Sequence, residues 1–169
     1  GVTTHSWMAV EAIARVQDPD LRALLQANLR QVEAGAHYPD SGYGSSALGI
    51  DPTYGEESHW PRFSYAYVDQ IRDDPTCGDL TAPNGPCAAR IAHALGAVAH
   101  GIGDEVWDWL FEPAAPDHGE SYAPPNTPAN TGGMELQMDM IAVQDHRRPT
   151  RPDLPLWPDH GGLLEVYAG

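Results

Sequence analysis

His100 and Asp104 stand four residues apart in the run His100-Gly-Ile-Gly-Asp104, inside a stretch, 88–111, that reads as a helix. That spacing puts an imidazole and a carboxylate on one face, one turn apart, where both can reach a single metal ion. Asp40 and His59, on separate upstream segments, add a second carboxylate and a second imidazole. Such a set suits a dinuclear or trinuclear hydrolytic metal site, because carboxylates bridge clustered cations and offset their charge while imidazoles supply neutral ligands. The helix pair by itself fits equally a packed histidine and a solvent-facing aspartate.

The elements that must position these residues read as helices. Ile91, Leu95, Val98, Ile102 and Val106 recur at helical spacing and predict a core stripe for the central helix, with Pro86 at its first turn and Glu112-Pro113 ending it. Ala94, Ala97 and Ala99 with Gly96, Gly101 and Gly103 leave that helix thin, so neighbours can approach closely. Thr4 or Ser6 can cap a first helix with Met8, Ala12, Ile13 and Val16 inward, closed by Asp18-Pro19. A second runs from Asp20 to Ala34, with Leu21, Leu24, Leu25, Leu29 and Val32 inward and Gly35 as its stop. Residues 36–57, with Pro39, Gly42, Gly44, Gly49, Pro52 and Gly55, predict a loop. Arg62 to Arg72 predicts a third helix on Phe63, Tyr67 and Ile71. Residues 113–133 are turn-forming, and Met134 to Val143 is a short helix candidate. The expectation is an all-α domain over 1–143 with long irregular loops, then a proline-rich irregular tail over 144–169.

The 169 residues carry 24 acidic side chains against 9 arginines and no lysine, a formal charge of -15. That surface repels nucleic-acid backbone and anionic membrane, so a phosphodiester substrate would need bound cations as its receptor. The charge also serves solubility on its own. Cys77 and Cys87 flank a turn-rich segment and read as a disulfide in an oxidising compartment, with free or metal-binding thiols as the alternative. Gly1 in place of an initiator methionine fits a secreted protein whose signal peptide is already removed, and equally an artificial start. No apolar run reaches the ~18 residues that would span a bilayer.

Gly1-Val-Thr-Thr-His5, then Ala34-Gly-Ala-His-Tyr-Pro-Asp40, then Glu57-Ser-His59-Trp60, then the helix pair, occur in an order and with flanks that resemble the zinc-dependent phospholipase C family. The likeness is greatest to the amino-terminal catalytic domain of glycosylphosphatidylinositol-specific phospholipase D and runs from Gly1 to about Val143. It implies that Asp40, His59, His100 and Asp104 hold one zinc ion and that His5 holds another through a shared Asp104. It further implies that Gly1 ligates through its amine and carbonyl. The family continues into further carboxy-terminal helices, which this chain lacks or which belong to a missing part or a companion chain.

The second metal position departs from that pattern. Where the relative has a histidine eight residues after the one matching His100, and later a histidine and aspartate before a Gly-Gly pair, this chain has Asp108, Asn126 and Asn130 before Gly132-Gly133. Asp108 remains a candidate ligand. The site would take a harder ion such as Ca2+ or Mg2+, be rebuilt with His118 and Glu120, or be lost, giving one to three ions in all.

The resemblance implies a secreted phosphodiester hydrolase acting on phospholipid or glycosylphosphatidylinositol-like substrates, with a metal-activated water as nucleophile. Asp40 and Asp104 are the candidate catalytic carboxylates, Asp40 orienting the water or taking its proton. A non-catalytic zinc-binding protein with a decayed second site is the alternative, and a single-strand nuclease is disfavoured by the charge and by the absence of basic patches. His37, His146 and His160 have no spacing partner, and His93 sits one helical face away from the His100 pair as a packed or solvent-exposed histidine or an outer support of the ligands. Trp60 could pack the helices or wall the metal cleft, and Arg62 and Arg90 fit a phosphate contact or an ion pair.

Overall fold

The computed structural model describes residues 2–44, 49, 51, 53–107, 132–146 and 160–168. Among them lie eight α-helices and no strand: α1 (Val2–Ile13), α2 (Pro19–Ala27), α3 (Leu29–Gly44), α4 (Thr53–His59), α5 (Pro61–Asp73), α6 (Ala88–Val106), α7 (Gly132–His146) and α8 (His160–Ala168). The expected all-α character holds among the described residues. The end of the central helix beyond Trp107, and the segment 113–131, fall outside them.

α3 and α6 form the central pair, and the contact rests on missing side chains. A Cβ on Gly35 would overlap the His93 carbonyl oxygen, and one on Gly96 would overlap the Val32 carbonyl oxygen. Two helices packed this closely trade side-chain volume for backbone proximity. Gly35 therefore does not end a helix, as its type suggests, but sits inside α3 where the two axes meet. The same closeness revises the expected core stripe. The buried face of α6 is Ala88, Ala92, His93, Ala94, Gly96, Ala97 and His100, whereas Ile102 is 60% exposed and Val106 is also exposed. Ile91 and Leu95 only partly join the core.

Two apolar clusters flank the central pair. One gathers Ala9, Ile13, Leu24, Leu25, Val32, Ala36, Ala88 and Ala92 from α1, α2, α3 and α6. The other gathers Tyr38, Phe63, Tyr67, Ile71, Ala94 and Leu163 with both cysteines. Cys77 and Cys87 form a disulfide. Beside it, Arg90 donates from Nη1 to Asp74 at 2.6 Å.

Local chemistry explains where the helices break. Asp18 caps α2 by accepting from the backbone of Asp20 at 2.9 Å and Leu21 at 3.0 Å, with Pro19 at the first helical position. The single helix expected over 20–34 divides at Asn28, whose side chain donates to the Leu24 and Pro83 carbonyls, each at 2.9 Å. Such a side chain competes with the backbone ladder and turns the chain. The expected loop over 36–57 is largely helical instead, since α3 continues through Pro39 to Gly44 and α4 occupies 53–59. Pro39 lacks an N–H and leaves the Gly35 carbonyl without its i+4 donor, a cost that burial in the central pair offsets.

α1 starts at Val2, so Thr4 is not a cap but lies in its first turn. Asp139 of α7 satisfies that turn, accepting from the Thr4 backbone and hydroxyl at 2.8 Å each. Part of the expected irregular tail is the helix α8, anchored by buried Leu163 and by Tyr167.

Three stability outcomes follow. Gly96→Ala should lower stability by about 1–3 kcal/mol in urea unfolding, against the ~1 kcal/mol gain that helix propensity alone would give. Gly161→Ala, with open space around its Cβ position, should be neutral or slightly stabilising. Replacing both cysteines by serine should cost about 2–3 kcal/mol for a loop of this length, and equal midpoints with and without the disulfide would contradict that.

Candidate metal centre

Four helices deliver five side chains to one place. α1 brings His5, α3 brings Asp40, α4 ends on His59, and α6 carries His100 and Asp104. The glycines of the His-Gly-Ile-Gly-Asp run decide how near those helices come. Gly101 faces the His59 carbonyl of α4 with no room for a Cβ, and Gly103 faces the Met8 side chain and the His5 ring of α1.

The donor atoms converge. His100 Nε2 lies 3.1 Å from His59 Nε2, 3.1 Å from Asp104 Oδ2 and 3.6 Å from Asp40 Oδ1. His59 Nε2 lies 3.4 Å from Asp104 Oδ2 and 3.6 Å from Asp40 Oδ1. The edge of a tetrahedron around a cation with ligand bonds of 2.0–2.1 Å is about 3.3–3.4 Å. The observed separations bracket that value, so His59, His100 and Asp104 set three donors at the spacing of three corners of such a shell, with Asp40 Oδ1 3.6 Å from both imidazoles.

The tautomers point the same way. His100 Nδ1 is 2.7 Å from the Ala36 carbonyl and His59 Nδ1 is 2.6 Å from the Gly55 carbonyl. A carbonyl only accepts, so each Nδ1 must carry a hydrogen. In the neutral rings both Nε2 atoms then hold lone pairs, facing each other and two carboxylates. Only a proton or a metal cation between them relieves that arrangement, and imidazoles oriented by backbone carbonyls are the usual support of metal ligands.

His5 approaches from the other side. Its ring stacks on that of His100 with centroids 3.7 Å apart, and its Nε2 lies 3.2 Å from Asp104 Oδ1. Asp104 thus presents one oxygen to His5 and the other to the His59–His100 pair. Burial favours a neutral His5, and this outweighs the hydrogen bond and charge of Asp104. Burial works against ionisation of Asp104 as well, but hydrogen bonds from His100 and His5 hold its carboxyl far below the usual carboxylate range. Asp40 is also held low, burial being outweighed by His59 and the neighbouring histidines. His59 is raised, because Asp40, the Gly55 carbonyl and Asp104 together overcome its burial.

The histidines are buried or nearly so, while the side chains of Asp40 and Asp104 are 32% and 35% exposed. The centre is therefore closed on its imidazole side and reaches solvent on its carboxylate side. At the rim, Tyr43 and Glu56, which had no sequence signal, join Trp60, which was expected to wall the cleft. The Tyr43 ring lies 5.4 Å from that of His59, and Tyr43 and half-exposed Trp60 donate to the two oxygens of Glu56 at 2.7 and 2.9 Å. Trp60 is thus held beside the centre. The carbonyls of Ala36 and Gly55 were equally invisible, since backbone groups leave no mark on residue type.

Gly1 and Asp108, the other two expected ligands, lie outside the described residues, as do Asn126, Asn130, His118 and Glu120. His93 is fully buried, its ring edge-on to Tyr38 and Tyr67, and lies away from the cluster. Arg90 forms an ion pair with Asp74. A third grouping of possible donors, Asp74 with Cys77 and Cys87, is closed to metal because the sulfurs are bonded to each other and the Arg90 guanidinium lies 3.7–3.8 Å from both. His5, Asp40 and His100, and likewise His59, His100 and Asp104, each bring donor atoms within 4.8 Å of one another and could hold a divalent cation.

The chain matches no family profile, and no curated protein or solved structure is significantly similar to it.

Protein equilibrated with a divalent transition metal and then dialysed should keep at least one ion per chain by elemental analysis. His59→Ala and His100→Ala should each weaken binding by about 100-fold or more, since even second-shell partners of metal ligands are worth 10–100-fold. His5→Ala should leave one ion bound. Cobalt(II) loading should give the intense visible bands of tetrahedral coordination, and their absence with undiminished metal content would place the ion elsewhere.

Proposed function

We propose that this chain is a secreted, zinc-dependent phosphodiester hydrolase acting on phospholipid or glycosylphosphatidylinositol-like substrates. The observation that carries the metal dependence is the 3.1 Å approach of two Nδ1-protonated imidazoles through their Nε2 atoms, beside two ionised carboxylates. Two imidazoles and a carboxylate oxygen at tetrahedral spacing, with a second carboxylate beside them, favour zinc over calcium or magnesium, which take all-oxygen shells. His59, His100, Asp40 and Asp104 would hold the first ion, and His5 with the outer oxygen of Asp104 would contribute to a second. The substrate class rests on the sequence resemblance around His5, Asp40, His59 and the His100–Asp104 pair. Secretion rests on the Cys77–Cys87 disulfide, which persists in oxidising compartments.

When bound, zinc supplies Lewis acidity toward a phosphoryl oxygen and makes water more acidic. The chain's own residues do the rest. Buried His59 and His100, fixed by backbone carbonyls, set the position of the centre and exclude water from behind it. Asp104 ties the two halves together through its two oxygens. Asp40, ionised and open to solvent, can orient the attacking water and accept its proton. The strongly acidic surface supplies no rival receptor for a phosphodiester, so charge neutralisation falls to the metal centre.

One observation favours a second reading, a non-catalytic zinc-binding protein. Four protein donors crowd the His59–His100 pair, and a shell supplied wholly by protein is the mark of structural sites, whereas catalytic zinc keeps an open position. Activity separates the two. The zinc-loaded protein should hydrolyse bis(p-nitrophenyl) phosphate and release headgroup from phosphatidylcholine or phosphatidylinositol, leaving single-stranded DNA intact. Asp40→Asn should lower kcat by about 100-fold or more, the usual scale of a lost general base. Stoichiometric zinc with no turnover of any phosphodiester would leave the structural reading standing.

A further inference from the structure

α4 has two working faces. Gly55, Ser58 and His59 turn toward α3 and the metal centre, while Tyr54 and Glu57, three residues apart, share the opposite flank. On that flank lies a cavity of about 610 Å³ between α4, α5 and α8, and none of the five metal-centre residues lines it.

The cavity wall combines aromatic faces with an excess of carboxylates. The Phe63 and Tyr167 ring centroids lie 4.9 Å apart, and Tyr54 meets Tyr167 at 4.9 Å with the planes at 74°. The three rings thus form a continuous, angled half-cage. Tyr167 is fixed within it, because its hydroxyl accepts from the Tyr38 hydroxyl and donates to the Tyr54 carbonyl, both at 3.0 Å. A ring whose polar end is engaged inward offers its face, and the rigidity lowers the entropic cost of binding. Around the rings stand Asp51, Glu57 and Glu165 against one cation, Arg62.

We propose that this cavity binds an organic cation of the alkylated-ammonium class. Such a cation carries a diffuse charge under a hydrocarbon shell, so it gains from ring faces and carboxylates together. The other ligand classes fit less well. A metal ion needs donor atoms that converge, and no three carboxylates here come within 4.8 Å of one another as the metal-centre donors do. An anion would face three carboxylates for one guanidinium. The inference is independent of the phosphodiesterase reading, since it uses none of that site's residues.

The test is titration of the full, metal-loaded chain with tetramethylammonium, followed by NMR of the ring signals, alongside the uncharged tert-butyl alcohol of similar size. Saturable shifts with tetramethylammonium, much weaker with the alcohol, are expected. Glu57→Gln and Tyr54→Leu, both at exposed positions, should each weaken binding by about 2- to 5-fold, as expected for exposed charge and cation–π contacts. Arg62→Gln should tighten it, because a like charge is removed. Metal content should not change in any of the three. Equal binding of the alcohol, no saturable shift, or weaker binding in Arg62→Gln would overturn the proposal.

Discussion

Backbone contact at the glycines of α6 is the constraint on which the remaining structure depends. Gly96 admits α3 and Gly101 admits the end of α4, so two helices reach one helix more closely than side chains would permit, while Gly103 leaves space that the Met8 side chain of α1 fills. Each contact lies next to a candidate ligand. His59 itself supplies the carbonyl that Gly101 accommodates, and the His5 ring lies against Gly103. The His-Gly-Ile-Gly-Asp run therefore both supplies donors and clears the space through which the others arrive. Glycine in a helix interior weakens it by about 1 kcal/mol relative to alanine, and here that cost secures convergence.

Convergence creates an electrostatic problem that only a proton or a metal cation solves. Two lone-pair nitrogens and two partly buried carboxylates repel one another, and burial strengthens the repulsion by lowering the local dielectric. A cation bound only by the folded chain removes it, which couples metal binding to folding by mass action. The same physics separates the centre from the Asp74–Cys77–Cys87 group. There Arg90 already supplies the positive charge and the sulfurs are covalently joined.

α4 and α8 show how short elements extend this frame. α4 is only seven residues long, yet it ends on His59 toward the centre and lends Tyr54 and Glu57 to the outer cavity. α8 closes that cavity through Tyr167, whose hydroxyl links it to Tyr38 on α3 and to the backbone of α4. Changes in the position of α8 would thus be felt at the cavity before the metal centre, since the carbonyls that orient His59 and His100 belong to α4 and α3.

Residue type and spacing determined the candidate ligand set, the helical class and the cysteine pair, because each depends on short-range periodicity or on side-chain chemistry. The i, i+4 placement of His100 and Asp104 required only that the segment be a helix. Tertiary structure decided what those signals could not carry. Pro39 and several glycines predicted a loop over 36–57, yet packing against α6 stabilised a helix through that stretch and so aimed Asp40 at the centre. The large residues Ile102 and Val106 promised a buried stripe, but the helix turned its alanines and glycines inward, since only small residues allow backbones to meet. The Nδ1 contacts to Ala36 and Gly55 belong to carbonyls that every residue has, so only the folded chain could show which ones orient the histidines. Sequence chose the chemical groups; the depth of helix approach chose their distances.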